Sequence, residues 1–219
     1  MSSQTIVALG VCVFWLVLLA RLGPVALRSW RIYSGASQRR QQDAGSRAPA
    51  TPTDVADRSE ILAGSGYRSI GVTRLDLPVG ERFGWILAAR DGASYAILVS
   101  SPGVQLTGIY SAWPDGTWLG TMNPIGTAVD RRGLQIRVVR TSLDDTVEAH
   151  LAGLARLRAI HGEPRPVRTL ADMLALDADY RIRYGGVSLR AITIRNMLPG
   201  AVAAGAFVVS ILLLVGTLR

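Results

Sequence analysis

The chain contains no lysine: all 24 of its basic residues are arginine. The two side chains are not interchangeable chemically, so an exchange this complete reflects coding composition and not a site. Cysteine is almost absent as well. Cys12 stands alone within an apolar run, which leaves no disulfide within the chain and no cysteine-rich metal site. That usage fits a reducing compartment. Histidine occurs only at His150 and His161. Eleven residues of helix separate them by about 16 Å, too far to share one metal ion.

The usual motifs are missing too. There is no Walker loop, HExxH helix, CxxC pair or GxSxG elbow. Gly64-Ser65-Gly66 lacks a third glycine at nucleotide-binding spacing and reads as a helix stop. Asp177-Ala178-Asp179, with Asp172 upstream, has the Asp-x-Asp form of some metal-dependent sugar transferases. On a helix two such carboxylates point about 200° apart, so they read as a solvated face and not as a clasp. The sequence implies no cofactor and no metal.

What is present is apolar length at both ends. Residues 197–218 contain no ionisable side chain and, at about 1.5 Å per residue, extend about 33 Å, enough to cross a hydrocarbon core of about 30 Å. A shorter run opens at Thr5 and ends at Ala20. Arg21 can snorkel and extend it to a span over residues 5–22. The basic residues follow this run and do not precede it, which favours a retained anchor over a cleaved signal. A basic interfacial segment is expected at 23–37. Pro24 there opens a short helix to Tyr33, Trp30 and Tyr33 lie at head-group depth, and Arg28 and Arg31 meet phosphates. The alternative is one longer, tilted helix.

Charge location sets the topology. The formal net charge is +8. Residues 1–53 carry six arginines and one aspartate, residues 54–180 thirteen arginines against fifteen acids, and residues 181–219 five arginines. The middle is therefore mildly acidic, which argues against a nucleic-acid face. Arg21, Arg28, Arg31, Arg39 and Arg40 follow the first span, and Arg181, Arg183, Arg190 and Arg195 precede the second. Both flanks place residues 1–4 and Arg219 outside and the domain in the cytoplasm of a multi-pass cell-membrane protein, with arginines on anionic head groups.

Residues 38–57 read as a flexible linker and 58–195 as an α+β domain. Asp57 or Ser59 caps a short helix through Leu62. Strands are expected at Ile70–Leu77, Phe83–Ala89, Tyr95–Ser100, Gln105–Trp113, Thr117–Met122 and Leu134–Arg140. Turns at Asp91-Gly92, Pro102-Gly103 and Pro114-Asp115-Gly116 join antiparallel neighbours into a meander of five or six strands. A helix from Ser142 to His161, with a Ser142/Asp145 capping box, buries Leu143, Val147, Leu151 with His150, Leu154 and Leu157. It lies across one face of the sheet, with His161 at the negative end of its dipole. A second helix, Thr169–Arg183, leads to Val187–Ile194, which is extended or interfacial.

Trp113-Pro114-Asp115-Gly116-Thr117-Trp118 is the most distinctive local feature. Trp113 and Trp118 flank a turn and, as cross-strand neighbours, either brace the hairpin or form an exposed aromatic ridge beside Asp115 that binds a partner. Gly200–Ala204 and Ala201–Gly205 are small-xxx-small pairs, and Ala8 and Gly10 offer small residues in the first span. They suggest packing of the two spans, or of two copies.

The expected function is a non-enzymatic accessory, scaffold or regulatory module on the cytoplasmic face. Two alternatives stay open. One is a small-molecule or lipid-binding domain with a pocket at Trp85, Tyr95 or Tyr110. The other is an enzyme whose Asp115, Thr117, Asn123 and His150 converge in one cleft.

Overall fold

The computed structural model describes residues 3–34, 41–77, 80–101, 104–126 and 128–217. The expected Pro102-Gly103 turn, Arg39, Arg40, Arg219 and part of the 1–4 terminus lie outside these residues. The chain divides into two compact units, Met1–Gln38 with Gly185–Arg219, and Arg39–Tyr184.

The second unit is α+β, built on one eight-stranded sheet. Its strands are β1 (Gln42–Asp43), β2 (Tyr67–Leu77), β3 (Gly80–Ala89), β4 (Tyr95–Ser101), β5 (Val104–Ala112), β6 (Trp118–Asn123), β7 (Val129–Arg131) and β8 (Leu134–Val138), in spatial order β1-β2-β3-β4-β5-β6-β8-β7. The strands β1 to β6 pair antiparallel with their sequence neighbours. The expected last strand forms, but as β8 it runs parallel to β6 and antiparallel to β7. The five- or six-strand expectation falls short because β1 and β7 are two and three residues long and carry no hydrophobic alternation. With β7 displaced to the edge, β8 returns beside β6.

Part of the expected linker is ordered structure. Gln42 and Asp43 pair with Arg74 and Thr73. A single 3-10 turn follows at Gly45–Arg47, and α2 (Thr53–Gly64) starts before the anticipated Asp57 or Ser59 cap. Its N-terminal flank is Pro52, so no side chain caps it. Tertiary bonds anchor it instead. Arg58 pairs with Asp54 at 2.6 Å and donates to the carbonyls of Leu106 and Val99 and to Thr107 Oγ1, while Ser100 Oγ donates to Asp54 Oδ1 at 2.8 Å. Burial works against the Asp54 carboxylate, but the Ser100 and Arg58 hydrogen bonds and the Arg58 charge hold its pKa below the usual range.

Helix α3 (Leu143–His161) carries the capping box foreseen at Ser142 and Asp145, both halves of which are formed. Its buried stripe is Leu143, Thr146, Val147, His150, Gly153, Leu154 and Leu157. Leu151 is not part of it and stays exposed. The i, i+3/i+4, i+7 spacing from Leu143 reaches His150, so an imidazole takes the inward position.

Both faces of the sheet are covered, not one. Alternation along β3 sends Trp85 and Leu87 into a core with Val55, Leu62, Leu143 and Val147 of α2 and α3. The intervening Ile86 and Ala88 join Tyr95, Trp118, Leu134, Met173 and Leu176 on the opposite face. Met173 and Leu176 belong to α4 (Leu170–Thr217), which is helical through Val187–Ile194, so that segment is not an extended piece.

In the first unit α1 (Ser3–Ser34) is one helix with Pro24 inside it. No separate helix starts at Pro24, and the single longer helix is the form adopted. The stretches Thr5–Leu27 and Met197–Gly216 are long and apolar enough to cross a membrane, each with mean hydropathy 2.4. They touch closely: a Cβ added at Gly200 would lie 2.6 Å from Ala26 Cβ and 3.2 Å from the Leu22 carbonyl oxygen. Thr5 and Cys12 on one helix and Ala203 and Ser210 on the other are buried. Each pair is seven residues apart, the repeat of a packed helical seam. Gly205 has nothing near it, so of the expected small-residue pairs only the Gly200 side is used.

Candidate functional site

The turn from Trp113 to Trp118 is built as its residues dictate. Gly116 N–H donates to Trp113 O, and Asp115 Oδ1 accepts from Thr117 N–H at 2.8 Å. Gly116 has φ of +91°, a conformation other residues rarely adopt. Pro114 and Asp115 are exposed.

The two tryptophans do not form a ridge. Trp113 is 1 % exposed and Trp118 3 %. In the register, Trp118 pairs with Ala112, not with Trp113, and the two rings pass to opposite faces. Trp113 packs with Leu119, Leu154 and Leu157 against α3, and its indole N–H donates to Gly162 O at 2.8 Å. Trp118 meets Tyr180 of α4 edge-on, ring centroids 5.0 Å apart. The odd separation of five residues across a tight turn decides this, because side chains alternate along a strand.

Asp115 does engage, in a contact its sequence position did not reveal. Its Oδ2 lies 2.7 Å from His161 Nδ1 at the end of α3. The Thr117 backbone N–H first, and then the His161 and Thr117 side chains, hold its pKa below the ordinary carboxylate range against partial desolvation. Arg183 lies against Gly116, and Tyr184 Oη donates to Gly116 O at 3.0 Å and Gly133 O at 3.1 Å. One end of the domain thus gathers a carboxylate, an imidazole and a guanidinium. Such a set can hold an anion or carry a proton.

Apart from Asp115 and Thr117, which bond within the turn, the expected catalytic quartet is dispersed. Asn123, at the far end of β6, donates to the carbonyls of Val139, Thr141 and Ser142 and so steadies the entry to α3. Thr117 is buried in the turn. His150 is fully buried between the hydroxyls of Ser111, 3.1 Å from Nε2, and Thr121, 3.1 Å from Nδ1. Ser111 spends its proton on Ala93 O, so it accepts from Nε2–H, and Nδ1 accepts from Thr121. Burial, with the Arg137 charge nearby, depresses the His150 pKa to about 3 and keeps the ring neutral.

The anticipated pocket residues are packed instead. Tyr95 and Tyr110 stack at 5.6 Å, and Trp85 is in the α2/α3-side core. Asp177 and Asp179 lie on helix α4 and bind Arg181 and Arg165, and no group of acids, histidines or cysteine fit to hold a metal occurs among the described residues.

A cavity of about 310 Å³ lies elsewhere, beside β7, β8 and α3, with Asp130, Gln135, Arg137 and Arg156 in its wall. No motif marks it, because its residues come from three elements.

Of the expected interface residues, Arg21 is exposed on α1. The side chains of Arg28, Trp30, Arg31, Tyr33, Arg190 and Arg195 lie outside the described residues, although their backbones are helical. No family model, curated protein or solved structure matches this chain.

Proposed function

We propose that this chain is a two-span membrane protein that holds its α+β domain at the cytoplasmic face as a non-enzymatic accessory or scaffold module. The observation that carries the reading is the close pairing of the two apolar helices, in which Gly200 lies against the Leu22 carbonyl and Ala26. Apolar helices in lipid associate through small residues of this kind, since lipid offers no hydrophobic gain on contact. Arginine flanks both apolar segments on the domain side, which supports the cytoplasmic orientation and a contact with anionic head groups. The domain offers a partner a sheet clamped on both faces, with the Asp115–His161–Arg183 end and the β7 edge exposed.

A topology reporter at Ala48 and another at Arg219 are expected on opposite sides of the bilayer, and the chain is expected to stay in the membrane through carbonate extraction. Reporters on the same side, or release by carbonate, reject the membrane reading. Affinity purification in mild detergent tests the scaffold role, for which a stoichiometric partner is expected.

A further inference from the structure

The cavity beside β7 and β8 is assembled by strand alternation. Gln135 accepts a hydrogen bond from Arg156 Nη2, which fixes Gln135 on the α3 side of the sheet. Asp130 stands opposite Gln135 in the β7–β8 ladder and so shares that face, as does Arg137 two residues along β8. The helix adds Arg156. Three elements therefore bring two guanidiniums, an amide and a carboxylate to one concavity, whose volume of about 310 Å³ admits a small ligand.

Five arginines of the domain have a carboxylate partner: Arg58 with Asp54, Arg74 with Asp76 and Glu81, Arg158 with Glu163, Arg165 with Asp179, and Arg181 with Asp177. Among the described residues neither Arg137 nor Arg156 has a carboxylate at ion-pairing distance, and both are exposed. The Gln135 bond holds Arg156 in place in advance, which lowers the ordering cost of an incoming ligand. Planar guanidiniums suit the oxygens of a phosphate, which they bind through paired N–H donors. Asp130 disfavours a bare anion but accepts hydrogen bonds from hydroxyls.

We infer that this groove binds a phosphate monoester of a polyol, its phosphate on Arg137 and Arg156 and a hydroxyl on Asp130. The ester is either a soluble metabolite or a lipid head group. All the contributing residues lie within Arg39–Tyr184, so the site does not depend on the membrane reading.

The test uses the full chain in phosphatidylcholine nanodiscs, titrated calorimetrically with glycerol phosphate and with inorganic phosphate. Saturable binding of glycerol phosphate is expected. Arg137→Gln and Arg156→Gln should each weaken it about tenfold or more, the loss of a charge-assisted contact. Asp130→Asn should weaken glycerol phosphate while leaving inorganic phosphate unchanged or tighter. If a glutamine variant melts early, Arg137→Lys and Arg156→Lys replace it. They keep the charge, lose the fork and should bind less tightly than wild type. Competition by phosphatidylcholine vesicles containing phosphatidylinositol phosphate assigns the ligand to a head group, and its absence assigns it to a soluble ester. No saturable binding of either ester, or equal affinity in wild type and the arginine variants, overturns the site. Equal response of both phosphates to Asp130→Asn overturns the polyol assignment.

Discussion

The two faces of the sheet are held by different means. On the face covered by α2 and α3, polar groups take part in the packing: buried His150 between Ser111 and Thr121, and half-buried Arg58 reaching three carbonyls, two on the sheet, beside Asp54. Each such group requires its partner, so hydrogen bonds set where those helices sit. On the face covered by the start of α4, aromatic rings take over that role. Tyr110 lies across β5 and β6, where a Cβ added at Gly108 would come within 2.6 Å of a ring carbon and one at Gly120 within 3.2 Å. Trp118, Tyr180 and Tyr184 continue the ring contacts. The lesson is that one face is specified by bond satisfaction and the other by shape, and the two should fail differently.

The sharpest way to test that contrast is to truncate one tryptophan on each face. Trp113→Ala should cost about 4 kcal/mol, from a large cavity plus an unpaired Gly162 carbonyl, and Trp118→Ala about 3 kcal/mol, from the cavity alone. Chemical denaturation of both variants and of the double variant measures this. The costs should nearly add, because the sheet separates the rings. Strong coupling would mean that the two faces do not fail independently.

The next largest effect is pH dependence on the polar face. In the unfolded chain His150 titrates near 6.5, and in the fold at about 3. Between those values the unfolded state binds a proton that the folded state refuses. The contribution is therefore fully present above the unfolded value and is lost as pH falls toward the folded one. The slope for one such proton is about 1.4 kcal/mol per pH unit. His150→Gln should flatten the denaturation midpoint against pH in this window relative to wild type. Thr121→Val, which strands Nδ1, should cost about 2 kcal/mol at neutral pH. An unchanged pH slope in His150→Gln would mean that shape governs this face as well.

Close approach at a small residue marks the paired apolar helices, which extends the comparison beyond the domain. Gly200→Leu should weaken their association by about 1–2 kcal/mol, while Gly205→Leu, facing open space, should have little effect. Unfolding in mixed micelles with a denaturing detergent separates the two variants. Equal losses would show that the seam is not where Gly200 places it.

Much of the fold was legible because its signals are local. The Ser142–Asp145 box, most of the α3 stripe and the turns at Asp91-Gly92 and Pro114-Asp115-Gly116 each depend on residues a few positions apart. What stayed hidden was set by distant pairing. β1 and β7 are too short for a periodic signal, and they form only because β2 and β8 offer edges. Pro24 is a common helix starter, yet in α1 it sits mid-helix, so the expected break does not occur. Parity rules out the ridge, since two tryptophans five residues apart cannot share a face once a turn of this length separates their strands. The Asp115–His161 contact joins residues 46 apart, and the groove draws on β7, β8 and α3. No spacing in the sequence announces either one.

That Asp115–His161 contact gives the smallest expected effect, and it probes a place where neither bond satisfaction nor shape dominates. The side chains are 51 % and 26 % exposed, so water competes for both partners. Asp115→Asn should change stability by no more than about 0.5 kcal/mol, because an exposed pair gains little over its hydrated state. Asparagine still accepts from the Thr117 N–H, so the turn is retained. Any loss should fade with added salt, which screens exposed charges but leaves Trp113 and His150 untouched. Thermal melts of wild type and variant at low and high salt measure this. A loss of several kcal/mol that salt does not reduce would mean that this end of the sheet is anchored like the α2/α3 face, by an interaction the fold cannot do without.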